Sequence, residues 1–303
     1  MKLTIVSPVY GVSSYIECFL KSLLPQLTPE VEVILVNDGT KDNSIELAKN
    51  LINQLPFALK ENVIILHQDN QGQSVARNNA IRQARGEYIG FLDPDDYVES
   101  NYILTILELL QSSPDVASFG AKAFLDDSNT PLHEIYTNLK EGLNSATEDL
   151  LSTIYKECSW MPWLRVIKKE FFINESFPKS ILLEDVYLFS IMYLKIKTIN
   201  HSNEVLVNYR VRAGSSVGQK SDHFFESYRQ VIAYLIEKKE LSPLIDLTLD
   251  KLFKAYFQES LNSRGLRFAL LNMQEIPKSK GNKLFMIYRA CVYFVKKMLG
   301  RSL

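Results

Sequence analysis

The chain has 303 residues, 46% of them hydrophobic and 23% charged, a composition that excludes disorder as the main state and allows one large domain or two moderate ones. Its 34 basic and 35 acidic side chains nearly cancel, so nucleic acid is not an expected partner. The three cysteines lie far apart without metal-ligand spacing, which indicates neither a disulfide framework nor a zinc site.

The N-terminal part of the chain alternates between two hydrophobic periods. Short β-branched and apolar runs predict buried strands of a largely parallel sheet over residues 3–7, 31–36, 62–66 and 88–92. Apolar residues at helical spacing predict helices over residues 14–24, 44–55, 74–85 and 101–110. The alternation predicts an α/β fold with a mostly parallel central sheet flanked by helices.

The pattern further along the chain is less regular. It predicts a strand over 116–121, a polar stretch over 126–144, a helix over 146–155, a helix from Glu184 and a strand near 204–210. Beyond Ser221, helices are predicted over residues 222–239, 244–261 and 283–299. We therefore expect two domains, an α/β domain over residues 1–220 and a helical C-terminal region over residues 221–303.

Polar loops follow the predicted strands at residues 8–11, 37–43, 68–73 and 93–96. Because ligands of open α/β sheets bind at the carboxyl ends of the strands, we expect the four loops to converge on one cleft. The last loop holds three carboxylates in four residues, Asp93, Asp95 and Asp96, which raise each other's pKa unless a cation or solvent compensates. A site for Mg²⁺ or Mn²⁺ with a nucleotide diphosphate and a plain acidic turn are both compatible with this loop.

The second and third loops carry further candidate groups. Asp38 could accept the imide N–H of a uracil, while Gly39 permits a tight turn. Arg77, in the first turn of the helix after the Gly72 loop, could reach back to a base or to phosphates. A turn followed by a helix cap is the simpler interpretation of the second loop.

Several motifs in this order and spacing resemble family 2 glycosyltransferases of the GT-A fold. They are Ser7-Pro8-Val9-Tyr10, Asn37-Asp38-Gly39-Thr40-x-Asp42, Asn70-x-Gly72-x-x-x-Ala76-Arg77-Asn78 and Asp93-x-Asp95-Asp96. Further matches are Trp163 with Lys168-Lys169-Glu170-Phe171, Leu183-Glu184-Asp185-x-x-Leu188-Phe189 and Tyr209-Arg210-x-Arg212-x-Gly214-Ser215. The resemblance covers about residues 1 to 217. Two positions depart from the usual pattern, Asn37 for Asp and Pro94 for Ser, and neither change removes a needed carboxylate.

The resemblance implies roles for individual residues. It makes Asp95 a ligand of Mn²⁺ or Mg²⁺, Asp93 a metal or ribose contact, and Asp185 the catalytic base. Pro8, Tyr10 and Asp38 match positions that line the nucleotide base, and Gly72 and Arg77 belong to the same nucleotide-sugar site. Arg210 and Arg212 lie in a Gly-Ser loop that could close over a diphosphate, although a solvated loop with surface charge fits equally well.

The implied activity is an inverting, metal-dependent transfer of a hexosyl group from a nucleotide sugar, expected to be a UDP sugar. Such a reaction needs a base for the acceptor hydroxyl and an electrophile for the departing diphosphate. The expected acceptor is a glycan or a lipid-linked molecule in bacterial surface polysaccharide or glycoconjugate synthesis. Trp160 and Trp163 could form an acceptor wall or an aromatic core.

Other classes of protein fit the residues less well. A sugar-phosphate nucleotidylyltransferase needs a glycine- and basic-rich loop after the first strand, where this chain has Pro8-Val9-Tyr10-Gly11, and no GxGxxG indicates a dinucleotide-binding domain. A non-catalytic nucleotide-sugar-binding module would be expected to lose the carboxylate at position 95 or 185, and both are present.

The C-terminal segment, residues 278–303, contains seven basic residues and no acidic ones. Its apolar residues recur mostly at helical spacing, which is typical of an interfacial amphipathic helix and equally of a helix that packs on the domain or on a dimer partner. No secretory signal and no membrane-spanning run is visible. We expect a cytoplasmic protein, with possible contact to the cytoplasmic face of a membrane through this segment and an oligomeric state that the sequence leaves open.

Overall fold

The computed structural model describes residues 1–128, 130–212 and 220–275, with the main chain alone for residues 270–275. It divides into two compact units. The first comprises Met1–Ser180 and Glu184–Ser215, and the second comprises Ile181–Leu183 and Ser216–Leu303.

The first unit contains the sheet and the helices that cover it. Its strands are β1 (Leu3–Val9), β2 (Val31–Asp38), β3 (Val63–Gln68), β4 (Tyr88–Phe91), β5 (Tyr97–Val98), β6 (Val116–Leu125), β7 (Pro131–Ile135), β8 (Gly142–Ser145), β9 (Arg165–Lys168) and β10 (Thr198–Val211). Its α-helices are α1 (Ile16–Leu23), α2 (Ser44–Ile52), α3 (Phe57–Lys60), α4 (Gln73–Gln83), α5 (Tyr102–Leu109), α6 (Glu148–Glu157) and α7 (Glu184–Met192). Short 3₁₀ turns cover Leu24–Gln26, Leu110–Ser112, Pro162–Leu164, Lys169–Phe172 and Tyr193–Lys195.

The sheet has the strand order β3-β2-β1-β4-β9-β6-β10-β5, with β7 paired to β6 and β8 paired to β10. Strands β3, β2, β1 and β4 run parallel, as the sequence predicts for this half. Strand β9 is antiparallel to both β4 and β6, and β10 runs parallel to β6. The expected parallel character therefore holds for the N-terminal half, whereas the other half of the sheet is mixed.

Parallel pairing brings the polar loops to one edge of the sheet. In the register of the strands, Val9 lies opposite Asn37, Asp38 opposite Gln68, and Val6 opposite Phe91. The residues that follow these positions are the four predicted ligand loops. The loops meet at the carboxyl edge, as expected for parallel strands.

Four strands of the structure are not predicted from the sequence. The polar stretch over 126–144 contains β7 and β8, whose side chains are largely exposed and so lack a buried alternating pattern. Strand β5 has two residues, too few for any periodic signal, and β9 follows the tryptophan-rich bend directly. These strands form because the sheet offers them a partner.

The described part of the second unit is helical. Helix α8 (Asp222–Lys238) begins at Ser221, whose hydroxyl oxygen accepts a hydrogen bond from the Phe224 main-chain N–H at 3.2 Å. Helix α9 (Leu244–Glu275) is broken at Gly265, where φ is +82°, and a 3₁₀ turn over Lys239–Leu241 joins the two. The predicted helix over 283–299 lies outside the described residues. Within residues 1–275, no described helix is long and apolar enough to cross a membrane.

Candidate active site

The loop after β1 is hydrogen-bonded to side chains of the loop after β2. The main-chain N–H groups of Gly11 and Ser13 donate to Thr40 Oγ1 and Asp42 Oδ2, both at 2.9 Å. Asp42 Oδ1 also accepts from the hydroxyl and main-chain N–H of Ser44 at the start of α2. Although burial acts to raise the pKa of Asp42, hydrogen bonds from Ser44, Thr40 and Ser13 hold it below its ordinary value. Thr40 and Asp42 therefore shape the site by hydrogen bonds that hold the main chain of the first loop in place.

Asp38 organises the third loop. Its buried carboxylate accepts hydrogen bonds from the main-chain N–H groups of Gln71 and Gly72 and from the Gln68 amide, each at 2.8 Å. Gly39 has φ +68°, and a Cβ there would lie 2.9 Å from the main-chain nitrogen of Asn70, so only glycine fits this turn. The predicted contact between Asp38 and the nucleotide base stays a prediction, while its structural role is direct.

Each carboxylate of the acidic loop after β4 faces an arginine. Arg77 Nη2 lies 3.0 Å from Asp93 Oδ1, and Arg212 Nη2 lies 2.8 Å from Asp95 Oδ2. The main-chain N–H of Arg210 donates to Asp96 Oδ1 at 2.8 Å. Burial first, and then the neighbouring carboxylates, raise the pKa values of Asp95 and Asp96. Three carboxyl groups are thus crowded in one loop, and each is approached by a different arginine, two through the guanidinium and one through the main-chain N–H.

The Arg210 side chain is held by hydrogen bonds to protein groups next to this loop. Its Nε donates to the Asp95 carbonyl oxygen at 2.7 Å, and its Nη1 lies 2.8 Å from Asp126 Oδ1. The Tyr15 hydroxyl donates to the other oxygen of Asp126 at 2.8 Å, and the guanidinium lies 4.8 Å from the ring centre of Phe124. Arg210 lies in β10 and not in the predicted Gly-Ser loop, whose residues 213–219 lie outside the described residues. Its predicted contact with the donor stays a prediction, and its observed contacts support the acidic loop. Asp126 was not recognised in the sequence because it lies in the polar stretch without a motif.

The acidic loop has the donor chemistry that a hard divalent cation prefers. The available ligands are carboxylate oxygens. Burial and then the charge of Asp93 raise the pKa of Asp95, and a cation would offset that charge. Among the described residues, no three His, Cys, Asp or Glu side chains are grouped so as to hold a metal ion. A cation bound here would therefore take its remaining ligands from phosphate or water, as Mg²⁺ commonly does.

Arg77 joins the acidic loop to the start of α7. Its side chain is only 2% exposed, and its Nη1 lies 2.7 Å from Glu184 Oε1, an oxygen that also accepts from the Gln73 amide at 2.7 Å. Burial raises the pKa of Glu184 to about 7, because removal from water outweighs the field of Arg77. Arg77 was predicted to contact the nucleotide sugar. That contact stays a prediction, and the structure shows both ends of the guanidinium engaged by carboxylates.

Asp185 follows Glu184 in the first turn of α7. Protein atoms surround its carboxylate closely, but it remains partly accessible, and Oδ1 accepts a hydrogen bond from the Val186 main-chain N–H at 2.8 Å. Burial raises the pKa of Asp185, whereas that hydrogen bond and the charges of Arg77 and Arg165 act to lower it. The group combines access and basicity, as a general base requires, while the neighbouring positive charges favour its ionised form.

The remaining predicted residues fall into two environments. Tyr10, at the end of β1, is 51% exposed, and Pro8 is partly exposed beside it, so both are open to a ligand at the sheet edge. Trp160 and Trp163 are buried, the first against Tyr155 and Tyr193 and the second stacked on Tyr209. The tryptophans therefore belong to the core, and the acceptor wall that the sequence allowed is wrong for them.

Arg77→Met is expected to destabilise the fold by about 3 kcal/mol, because it leaves the buried Glu184 without its counter-charge. Because the pKa of Glu184 in the folded protein is about 7, this side chain needs its counter-charge only above that pH, so the loss should be small below about pH 7 and grow as the pH rises from about 7 to about 9. Urea unfolding across this pH range measures the effect. Arg82→Met, which removes an exposed guanidinium from the same helix, serves as the control. Equal unfolding midpoints for the two variants would show that the bridge contributes nothing.

Comparison with solved structures defines the class of fold. Staphylococcus aureus TarS residues 1–349 in complex with UDP-GlcNAc superimposes with a TM-score of 0.72 at 20% identity, over 91% of this chain and 82% of that one. A mannosyltransferase of Pyrobaculum calidifontis in complex with GDP-Man and Mn²⁺ gives a TM-score of 0.58 at 14% identity, over 97% and 80% of the two chains. The fold is the GT-A glycosyltransferase fold with C-terminal helices, which confirms the expected fold class.

The sequence comparison then gives the family. Residues 4–168, more than half of the chain, match the sequence model of Glycosyl transferase family 2, so the chain belongs to this family of enzymes. It is 27% identical over 226 residues to glycosyltransferase GlyA of Streptococcus pneumoniae and 34% identical over 172 residues to the uncharacterized glycosyltransferase EpsJ of Bacillus subtilis. These alignments include 71% and 56% of this chain but span only 31% and 48% of the relatives' lengths.

Proposed function

We propose that this protein is an inverting, metal-dependent glycosyltransferase that moves a hexosyl group from a UDP sugar to a hydroxyl group of its acceptor. The observation that carries the proposal is the Arg77 bridge, which ties the acidic loop to the first turn of α7, the turn that also carries Asp185. The complexes of TarS with UDP-GlcNAc and of the mannosyltransferase with GDP-Man and Mn²⁺ support a nucleotide-sugar donor and a divalent cation.

Asp185 is proposed to take the proton of the acceptor hydroxyl. Its raised pKa makes it a stronger base than an ordinary aspartate, and its partial exposure leaves it open to a substrate. Glu184 cannot substitute for it easily, because one of its oxygens is already bound by Arg77 and Gln73. The two adjacent carboxylates therefore have different roles, the first in holding the site together and the second in proton transfer.

Asp95 and Asp93 are proposed to hold the divalent cation, Mn²⁺ or Mg²⁺, which when bound would stabilise negative charge on the leaving diphosphate. Arg212, 31% exposed, is proposed to contribute positive charge at the same place, since it already lies against Asp95. Pro8 and Tyr10 are proposed to line the base, and Asp38 and Gly72 to hold the loop beside it. Arg210 is proposed to support the acidic loop through its hydrogen bond to the Asp95 carbonyl oxygen.

The acceptor is proposed to be a glycan or a lipid-linked molecule of bacterial surface polysaccharide or glycoconjugate synthesis. The relatives named glycosyltransferases in two bacteria are consistent with such a role. The proposed cytoplasmic location and the membrane contact of residues 278–303 stay predictions, since that segment lies outside the described residues. The division into domains at residue 220 is likewise a proposal, close to the boundary between the compact units at residues 215–216.

A donor screen tests this function. Purified full-length protein is incubated with UDP, GDP and dTDP sugars, each with Mn²⁺, Mg²⁺ or EDTA, and release of the nucleoside diphosphate is measured. Release from a UDP sugar that requires the cation is expected. The variant Asp149→Asn, which neutralises an exposed carboxylate on α6, should behave as wild type. Failure to bind or cleave any of the donors, or activity indifferent to EDTA, would contradict the proposal.

A further inference from the structure

Arg165 is another buried cation, on the strand next to β4. It opens β9, its side chain is 3% exposed, and its guanidinium lies among three aromatic rings. The ring centres of Trp160, Phe189 and Tyr193 are 5.8, 5.4 and 5.2 Å from its central carbon. Its Nη1 donates to the Tyr193 hydroxyl at 2.9 Å, and its Nη2 donates to the Ser159 carbonyl oxygen.

This arrangement leaves the charge of Arg165 without a direct counter-ion. Among the described residues, no carboxylate forms an ion pair with it, and its Nε has no hydrogen-bond partner. Aromatic faces attract a guanidinium, but they return only part of the free energy lost when a charge leaves water. An apolar side chain would fill a cage of aromatic rings at lower cost. The retained charge therefore calls for a function beyond packing.

The helix that contributes to this cage also carries a carboxylate without an ion pair among the described residues. Phe189 lies on α7, Tyr193 follows its last turn, and the first turn of the same helix carries Asp185. Glu184 Oε1 is paired with Arg77, whereas Asp185 accepts its hydrogen bond from its own helix, from the Val186 main-chain N–H. Arg165 and Asp185 are thus a cation and a carboxylate that both lack a contacting partner of opposite charge within the described residues.

We propose that Arg165 is a positioning residue for the base, holding Asp185 ionised through its buried charge and holding α7 in place through Phe189 and Tyr193. This inference rests on the proposed role of Asp185 as the base. Arg165 touches neither substrate nor metal ligand in this scheme. It acts across the protein interior, where a charge is weakly screened.

The charges that face Asp185 come from three elements. Glu184 shares its helix, Arg77 approaches from α4 and Arg165 from β9, and both arginines act to lower the pKa that burial raises. Because Arg77 is bound to Asp93 and Glu184, its charge is largely offset by them. Arg165 has no such offset among the described residues, so its field at Asp185 is the one that a substitution would remove most cleanly.

The test compares Arg165→Met and Arg165→Gln with Arg165→Lys. The Asp185 carboxyl carbon is followed by ¹³C NMR as the pH is varied, with Asp185→Asn used to assign its signal, and the pH dependence of kcat is measured alongside. Loss of the charge should raise the pKa of Asp185 by about one unit. Since the base works in its ionised form, the acidic limb of the kcat profile should move to higher pH by the same amount. Arg165→Lys should restore the wild-type profile.

Lys168→Met supplies the matched control, because it removes a partly exposed charge from the same strand and should move neither measurement. A folded Arg165→Met or Arg165→Gln variant with an unshifted Asp185 signal would overturn the proposal, and so would failure of both neutral variants to fold while Arg165→Lys folds. The NMR titration needs no turnover. A shifted signal in a protein that transfers no sugar would therefore contradict the proposed function and leave the coupling of the two charges established.

Discussion

Asp185→Asn is expected to bind nucleotide sugar and cation as the wild type does and to transfer sugar about 100- to 10,000-fold more slowly. The amide is nearly isosteric with the carboxylate, so the helix start is preserved, and its oxygen can still accept the hydrogen bond from the Val186 main chain. The amide cannot accept the proton of an acceptor hydroxyl at neutral pH. The loss should therefore appear in kcat rather than in donor affinity.

Two measurements check this prediction. Calorimetric titration with the donor in the presence of Mn²⁺ gives the affinity, and a steady-state assay gives the transfer rate. Asp149→Asn, an equivalent substitution in the first turn of α6, should leave both unchanged. Near wild-type transfer by Asp185→Asn would assign the base to another residue.

Asp95→Ala is expected to leave the fold intact and to abolish metal-dependent turnover. Burial raises the pKa of Asp95, so this carboxylate is held in the folded state at a cost, and the partly exposed Arg212 can turn to solvent when it loses its partner. The substitution removes one of the two proposed cation ligands and leaves Arg212 unpaired. A neutral methyl group cannot offset the charge of a cation beside a diphosphate.

The measurement is nucleoside diphosphate release against Mn²⁺ concentration, with the thermal unfolding temperature recorded for each variant. Asp246→Ala, which removes an exposed carboxylate from the first turn of α9, is the control and should match the wild type. Turnover by Asp95→Ala equal to that of wild type, both with and without EDTA, would rule out the proposed metal role.

Sequence reasoning succeeds where the signal is local. Strands β1 to β4 are short buried runs between helices of regular period, and the loops after them carry polar residues that parallel pairing brings to one edge. The acidic loop stands out for the same reason, because clustered carboxylates are visible without knowledge of the fold, whereas Asp185 was singled out by the family resemblance and its role stays a prediction. These features depend on neighbours within a few residues.

Sequence reasoning fails where a role depends on a distant partner. Arg77 lies in a motif that predicts ligand contact, which stays a prediction, and nothing in that motif indicates the ion pair with Glu184, 107 residues further along the chain. Asp126 supports Arg210 across 84 residues, and Arg165 obtains its aromatic cage from two separate segments. A motif gives the identity of a side chain, whereas the order of strands in the sheet decides which groups it meets.

The bonds that Thr40 and Asp42 make to the first loop have a thermodynamic consequence. The second loop already holds the main chain of Gly11 and Ser13. These residues therefore lose their conformational entropy when the protein folds and not when a ligand binds. A nucleotide that binds at this edge, as proposed, would meet a surface whose shape is already fixed. Little of its binding free energy then has to be spent on ordering the chain, and more of it is left to distinguish one base from another.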